Sequence, residues 1–167
     1  MRRGRPILAL VLMVWAEAAV AQVTVRFVAP ERYTDAGNRF GSGLPLQGTL
    51  GEIRRIFEEL GRRGLPPGRA LAVEILDIDL AGAERPGANI PFGVRVVSDV
   101  TPPRFRLRYV LTEGRRKIDA AEEVVTDINF LMRATRLSNG AFDYERDLLR
   151  DWFRTRIVDA RPPAGGF

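Results

Sequence analysis

Alternation opens the readable part of this chain. In QVTVRFVAP, Val23, Val25 and Phe27 fall on one face and Thr24 and Arg26 on the other, and Pro30 closes the run. That spacing predicts a strand over about residues 23–28. The Gly-rich, aperiodic stretch at 31–48 reads as a long loop. TLGEIRRIFEELGRRG then changes period. Leu50, Ile53, Ile56, Phe57 and Leu60 recur at helical spacing, Thr49 and Glu52 have the spacing of a capping box, and Gly64 with PPG ends the helix. Glu58 with Arg62 and Glu59 with Arg63 add i,i+4 pairs on its wet side.

Extended pattern returns in LAVEILDIDL, from about Leu71. A strand, helix and strand in succession imply a parallel pair joined by a crossover. VRVVS reads as a short edge strand closed by Pro102 and Pro103. RFRLRYVLTEGRRKIDAAEEVVTD reads as a hairpin about Glu113-Gly114, with Phe105, Leu107, Tyr109 and Leu111 alternating with Arg104, Arg106 and Arg108. A two-residue loop sets Arg108 opposite Asp119 and Arg104 opposite Glu123. A four-residue loop one position later keeps the faces, and a three-residue loop reverses them. INFLMRATRLSNG fits either a helical turn or an ordered loop. FDYERDLLRDWFRTRIV is a second amphipathic helix that Asp143 can cap. Leu148, Leu149, Trp152, Phe153 and Ile157 form its apolar side, and Glu145, Asp147 and Asp151 mix with arginines on its wet side. The order β-α-β-(β)-β-β-α predicts an α+β fold, a single small domain whose mixed β-sheet carries both helices packed on one face.

The first residues follow another logic. MRRGRP is a basic start, ILALVLMVWAEAAV is an apolar run interrupted by Glu17, and AVA supplies small residues at Ala19 and Ala21. This is the layout of a secretory signal peptide cut between Ala21 and Gln22. The run is too short for a comfortable bilayer span. The expected organisation is a signal peptide at 1–21, one domain at 22–160 and a flexible tail at 161–167, in a periplasmic protein with no integral membrane span after cleavage.

Composition narrows the chemistry sharply. The 167 residues include no cysteine and no histidine. Disulfides, thiol nucleophiles, histidine-based triads, imidazole proton shuttles and the usual zinc sites are all excluded. The net charge is +5, and Lys117 is the only lysine among 26 basic residues. Acids are interspersed throughout, and Tyr109 lies opposite the arginine row, so no nucleic-acid partner is expected.

Asp77 and Asp79 are the sharpest feature, two carboxylates at i,i+2 on a strand, which place them on one face. If Leu76, Ile78 and Leu80 pack under the helices, both aspartates share the open face with Arg104, Arg106 and Arg108. The preferred reading is a cross-sheet charge ladder. The alternative is a carboxylate-based, divalent-metal-dependent hydrolase using Asp77 and Asp79, with Asp35, Asp127 or Asn129 as further oxygen ligands.

FVAPERYTDAGNRF, EILDIDLAG, LRYVL, DINFLMR and YERDLLRDWF, in this order, resemble segments of the bacterial family called domain of unknown function 3016. The resemblance spans nearly all of the chain after residue 21 and implies an exported protein with no established activity. Tyr33, Asp35, Asp77, Asp79, Asn129 and Trp152 carry it. The expectation is therefore a non-catalytic binding or interaction module of the cell envelope. Its partner would be an envelope protein or an anionic ligand. Tyr33, Asp35, Asp77, Asp79, Arg106, Arg108 and Asn129 are the candidate binding residues, and no catalytic residue or cofactor is assigned.

Overall fold

A computed structural model describes residues 22–37, 45–84, 94–132 and 142–159. The expected signal peptide and flexible tail lie outside these residues, as does part of the long loop. Four strands form one sheet: β1 (Gln22–Phe27), β2 (Arg69–Asp79), β5 (Arg104–Glu113) and β6 (Arg116–Thr126), in the order β1-β2-β5-β6. β1 runs parallel to β2, while β2–β5 and β5–β6 are antiparallel. The sheet is mixed, and α1 (Leu46–Gly64) makes the crossover between its two parallel strands. α2 (Asp143–Phe153), extended by a π turn at Arg154–Val158, packs beside α1 over the same face. The protein is thus the small α+β domain that its alternation implies.

The core lies between these layers. Leu71, Val73, Ile75 and Ile78 of β2 and Phe105, Leu107, Tyr109 and Leu111 of β5 are buried beneath Ile53, Ile56 and Phe57 of α1 and Leu148, Leu149 and Trp152 of α2. Each such side chain contributes about 1.5–3 kcal/mol by leaving water. α1 lies directly on β1 because Gly61 faces it; a Cβ at this position would overlap the side chain of Val23. Trp152 and Phe153 are neighbours on α2, yet both are buried. Trp152 stands edge-on to Tyr109 and Phe57, and Phe153 turns toward the end of α1 at Gly64.

Several local expectations give way to tertiary structure. α1 begins at Leu46 behind Pro45, so Thr49 lies inside the helix, 1% exposed, and caps nothing. α2 begins at Asp143 after Phe142, which holds a left-handed conformation, and no side chain caps it. Glu145, expected on the wet side, is buried. VRVVS contributes no edge to the main sheet: β4 (Arg95–Val96) pairs instead with β3 (Ala83–Glu84) in a separate two-stranded ribbon. INFLM, by contrast, takes one of the two conformations left open for it, a helical turn, of 3₁₀ type at Phe130–Met132.

Two β-bulges decide which side chain faces where. One, at Leu76, lets Ile75 and Ile78 both reach the core, so Leu76 itself stays only partly buried. The other, between Leu111 and Thr112 of β5, lets Ile118 drop into the core of the hairpin. Together with a turn at Gly114-Arg115, one position later than expected, this bulge sets Arg108 opposite Glu122, not Asp119, and Arg104 opposite Thr126, not Glu123.

Candidate functional site

The sheet's other face is uncovered among the described residues, and its charges are matched row by row. Arg26, Glu74, Arg108 and Glu122 stand side by side across all four strands. Arg26 meets Glu74 at 2.7 Å, and Arg108 bridges Glu74 at 3.2 Å and Glu122 at 2.8 Å. The Glu122 contact, above all, raises the pKa of Arg108 further. Toward the end of β2, Arg104 reaches Asp79 at 3.4 Å and Asp77 at 3.8 Å, while Arg106 sits 3.7 Å from Glu122. Asp77 and Asp79 therefore face outward together with the arginine row.

The segment after β1 docks on this end of β2. Tyr33 donates its hydroxyl hydrogen bond to the Ile75 carbonyl at 2.7 Å and accepts one from the Val28 N–H at 3.1 Å. Burial pushes the Tyr33 pKa up to about 12, so it stays a neutral donor. Thr34 offers its N–H and its hydroxyl to the two oxygens of Asp77, both at 2.7 Å. Asp35 bridges to β2 through its backbone, and its carboxylate binds Arg95 at 2.7 Å. Burial pushes the Asp79 carboxyl up, with Asp35 and Asp77 adding to the effect and Arg104 opposing it.

Of the seven candidates, the structure thus gathers Tyr33, Asp35, Asp77 and Asp79 at one end of β2. Arg106 and Arg108 lie along β5 on the same face. Asn129 lies apart, exposed in a turn where its N–H meets the Asp127 carboxylate at 2.9 Å. Asp77 and Asp79 each hold a partner from the protein itself, and no group of three or more Asp or Glu among the described residues is arranged to hold a metal ion.

Two polar constellations escaped the sequence reading. Arg95 clasps the chain after β2, contacting the carbonyls of Leu80, Ala81 and Gly82 at 2.7–3.2 Å as well as Asp35. Beside it, buried Glu145 accepts the Ala81 N–H at 2.7 Å; desolvation raises its pKa, opposed by that hydrogen bond and by Arg95. The helical spacing of Glu145, Leu148, Leu149 and Trp152 was the available signal, since it puts the acid on the apolar stripe. On the other side of α2, Trp152 donates its indole N–H to Glu123 at 3.0 Å, and Arg156 pairs with Glu123 at 2.9 Å. Tyr109 donates to Asp119 at 2.6 Å. Asp119 and Glu123 therefore belong to the helical layer, not to the arginine row.

The family model described as "Protein of unknown function (DUF3016)" matches residues 21–155. The chain belongs to this family. The matched stretch of this DUF3016 protein includes every strand and both helices described above. No curated protein matches the chain. What the DUF3016 site does chemically follows from its pairings: Tyr33, Asp77 and Asp35 fasten the segment after β1 to the sheet, and the arginine row meets carboxylates on neighbouring strands.

Proposed function

We propose that this DUF3016 protein is exported and serves in the periplasm as a non-catalytic interaction module, docking an envelope protein on the open face of its sheet. The observation that carries the reading is that face itself. It is a four-stranded surface without a covering layer among the described residues, in which four arginines meet four carboxylates. A surface whose charges are already matched suits a protein partner better than a small anion, because its guanidinium groups are engaged. Val124, 58% exposed near the outer edge, supplies apolar area for such contact. The basic and apolar start followed by AVA supports export.

The experiment places a photo-crosslinking amino acid at Val124 and, separately, at Arg62 on the helical side. One discrete adduct from Val124 in intact cells, none from Arg62, and a periplasmic chain beginning at Gln22 are the expected results. Retention in the cytoplasm removes the export reading, and equal labelling from both positions removes the docking reading. The metal-dependent alternative predicts that calcium, magnesium or manganese raises the melting temperature and that Asp77→Asn abolishes the rise. With Asp77 held by Thr34 and Asp79 by Arg104, the expected response to each ion is flat.

A further inference from the structure

Four further arginines gather away from the sheet face. Between α1 and α2 lies a half-open cleft of about 280 Å³ whose apolar lining is Ile56, Leu60, Phe153 and Val158. Ile56 and Phe153 form a buried floor, and Val158, 37% exposed, stands at the margin. Arg63, Arg146, Arg150 and Arg154 also line the cleft, against a single acid among the described residues, Glu59. Arg146 is tied to Glu52 at 2.9 Å and to Glu59 at 3.5 Å. Among the described residues, the other three, 48–76% exposed, pair with acids one turn away on their own helix. Surface pairs of that kind yield readily to a better anion.

One end of the cleft is bordered by a residue without a side chain. Gly64 ends α1 at the cleft, and a Cβ there would sit 3.3 Å from the Phe153 ring and 3.6 Å from Val158. The volume falls just below the roughly 300–1,000 Å³ typical of ligand pockets, which suits one slender chain and not a fused ring system. An apolar trough with a cationic margin specifies a ligand with one flexible tail and one negative head.

We propose that the α1–α2 cleft binds a fatty-acid anion, its acyl chain along Ile56, Leu60 and Phe153 and its carboxylate between Arg150 and Arg154. The site is on the helical side of the protein and is independent of the sheet-face reading. Guanidinium groups suit a carboxylate because they can donate two parallel hydrogen bonds.

The test is calorimetric titration of the protein as isolated from cells with decanoate, decyltrimethylammonium and acetate. Decanoate should bind one-to-one and at least tenfold more tightly than the cation of equal chain length, and acetate should give no heat of binding. The double variant Arg150→Glu, Arg154→Glu, altered only at exposed positions, should weaken decanoate at least tenfold without moving the melting temperature by more than a few degrees. Gly64→Leu should block the cleft. Equal affinity for the cation and the anion, undiminished binding by the double variant, or no binding of decanoate overturns the proposal. Binding that emerges only after residues 160–167 are removed, or decanoate that merely dissociates a dimer, overturns it too and assigns the cleft to the chain's own end or to a second copy.

Discussion

A single buried acid shows how residue chemistry fastens this fold. Glu145 is 3% exposed and its carboxylate accepts the N–H of Ala81, itself 5% exposed, where the chain leaves β2. Without that acceptor, a buried N–H loses its partner, at a cost of about 1–3 kcal/mol. Glu145→Ala should therefore destabilise the protein by about that much in urea unfolding at pH 7. Glu145→Gln retains an oxygen for Ala81 and removes the buried charge. Because desolvation is the largest influence on Glu145, the glutamine variant should match or exceed the wild type. An alanine variant as stable as the wild type would mean that the Ala81 bond contributes nothing. Tyr33 acts similarly at the other end of the same segment: Tyr33→Phe removes the donor to Ile75 and the acceptor for Val28, and should cost about 1–2 kcal/mol in the same measurement.

At the level of elements, the two faces of the sheet contribute very unequally. The row Arg26, Glu74, Arg108, Glu122 is well aligned, yet its pairs are solvent-exposed, where screening by water leaves little net stabilisation. Leu107, next to Arg108 but wholly buried, anchors the same strand to the helices. Leu107→Ala should cost about 2–5 kcal/mol and Arg108→Ala far less, by denaturant unfolding. A comparable loss for Arg108→Ala would make the ladder a structural element in its own right. This asymmetry also explains what could be read in advance. The outward course of Asp77, Asp79 and the arginines was legible because strict alternation separates Phe105, Leu107, Tyr109 and Leu111 from their neighbours. The partners on β6 were not, because a bulge shifts register without altering composition: Ile118 enters the core, and Asp119 and Glu123 change faces relative to a plain hairpin. Leu76 misled for the same reason, since its apolar side chain sits where β2 bulges. The clasp of Arg95 joins residues distant in the chain, and no local periodicity announces such a contact.

For the molecule as a whole, the missing residue types set the pH response. With no histidine and no cysteine, no side chain of ordinary pKa titrates between about pH 6 and 8, and no disulfide supplements the core. Among the carboxylates, burial raises the pKa of Glu145 above its ordinary range. Its folded pKa exceeds its unfolded one, near 4.3, so the folded state binds a proton that the unfolded state has released. Its contribution to stability is therefore complete below about pH 4.3 and is lost as pH rises through the folded value. Glu145→Gln isolates this effect, because Asp79, also raised by burial, and the amino terminus are common to both proteins. Melting temperatures of the two proteins from pH 4 to pH 9 should converge at the acid end. The glutamine variant should pull ahead as pH rises, and the gap should become constant once Glu145 is fully ionised. A gap of the opposite sign, with the wild type gaining as pH rises, would mean that attraction to Arg95 outweighs burial at this site. The buried carboxylate would then stabilise the fold through its charge, and the clasp around Arg95 and Asp35 would have to be understood as one ionic unit.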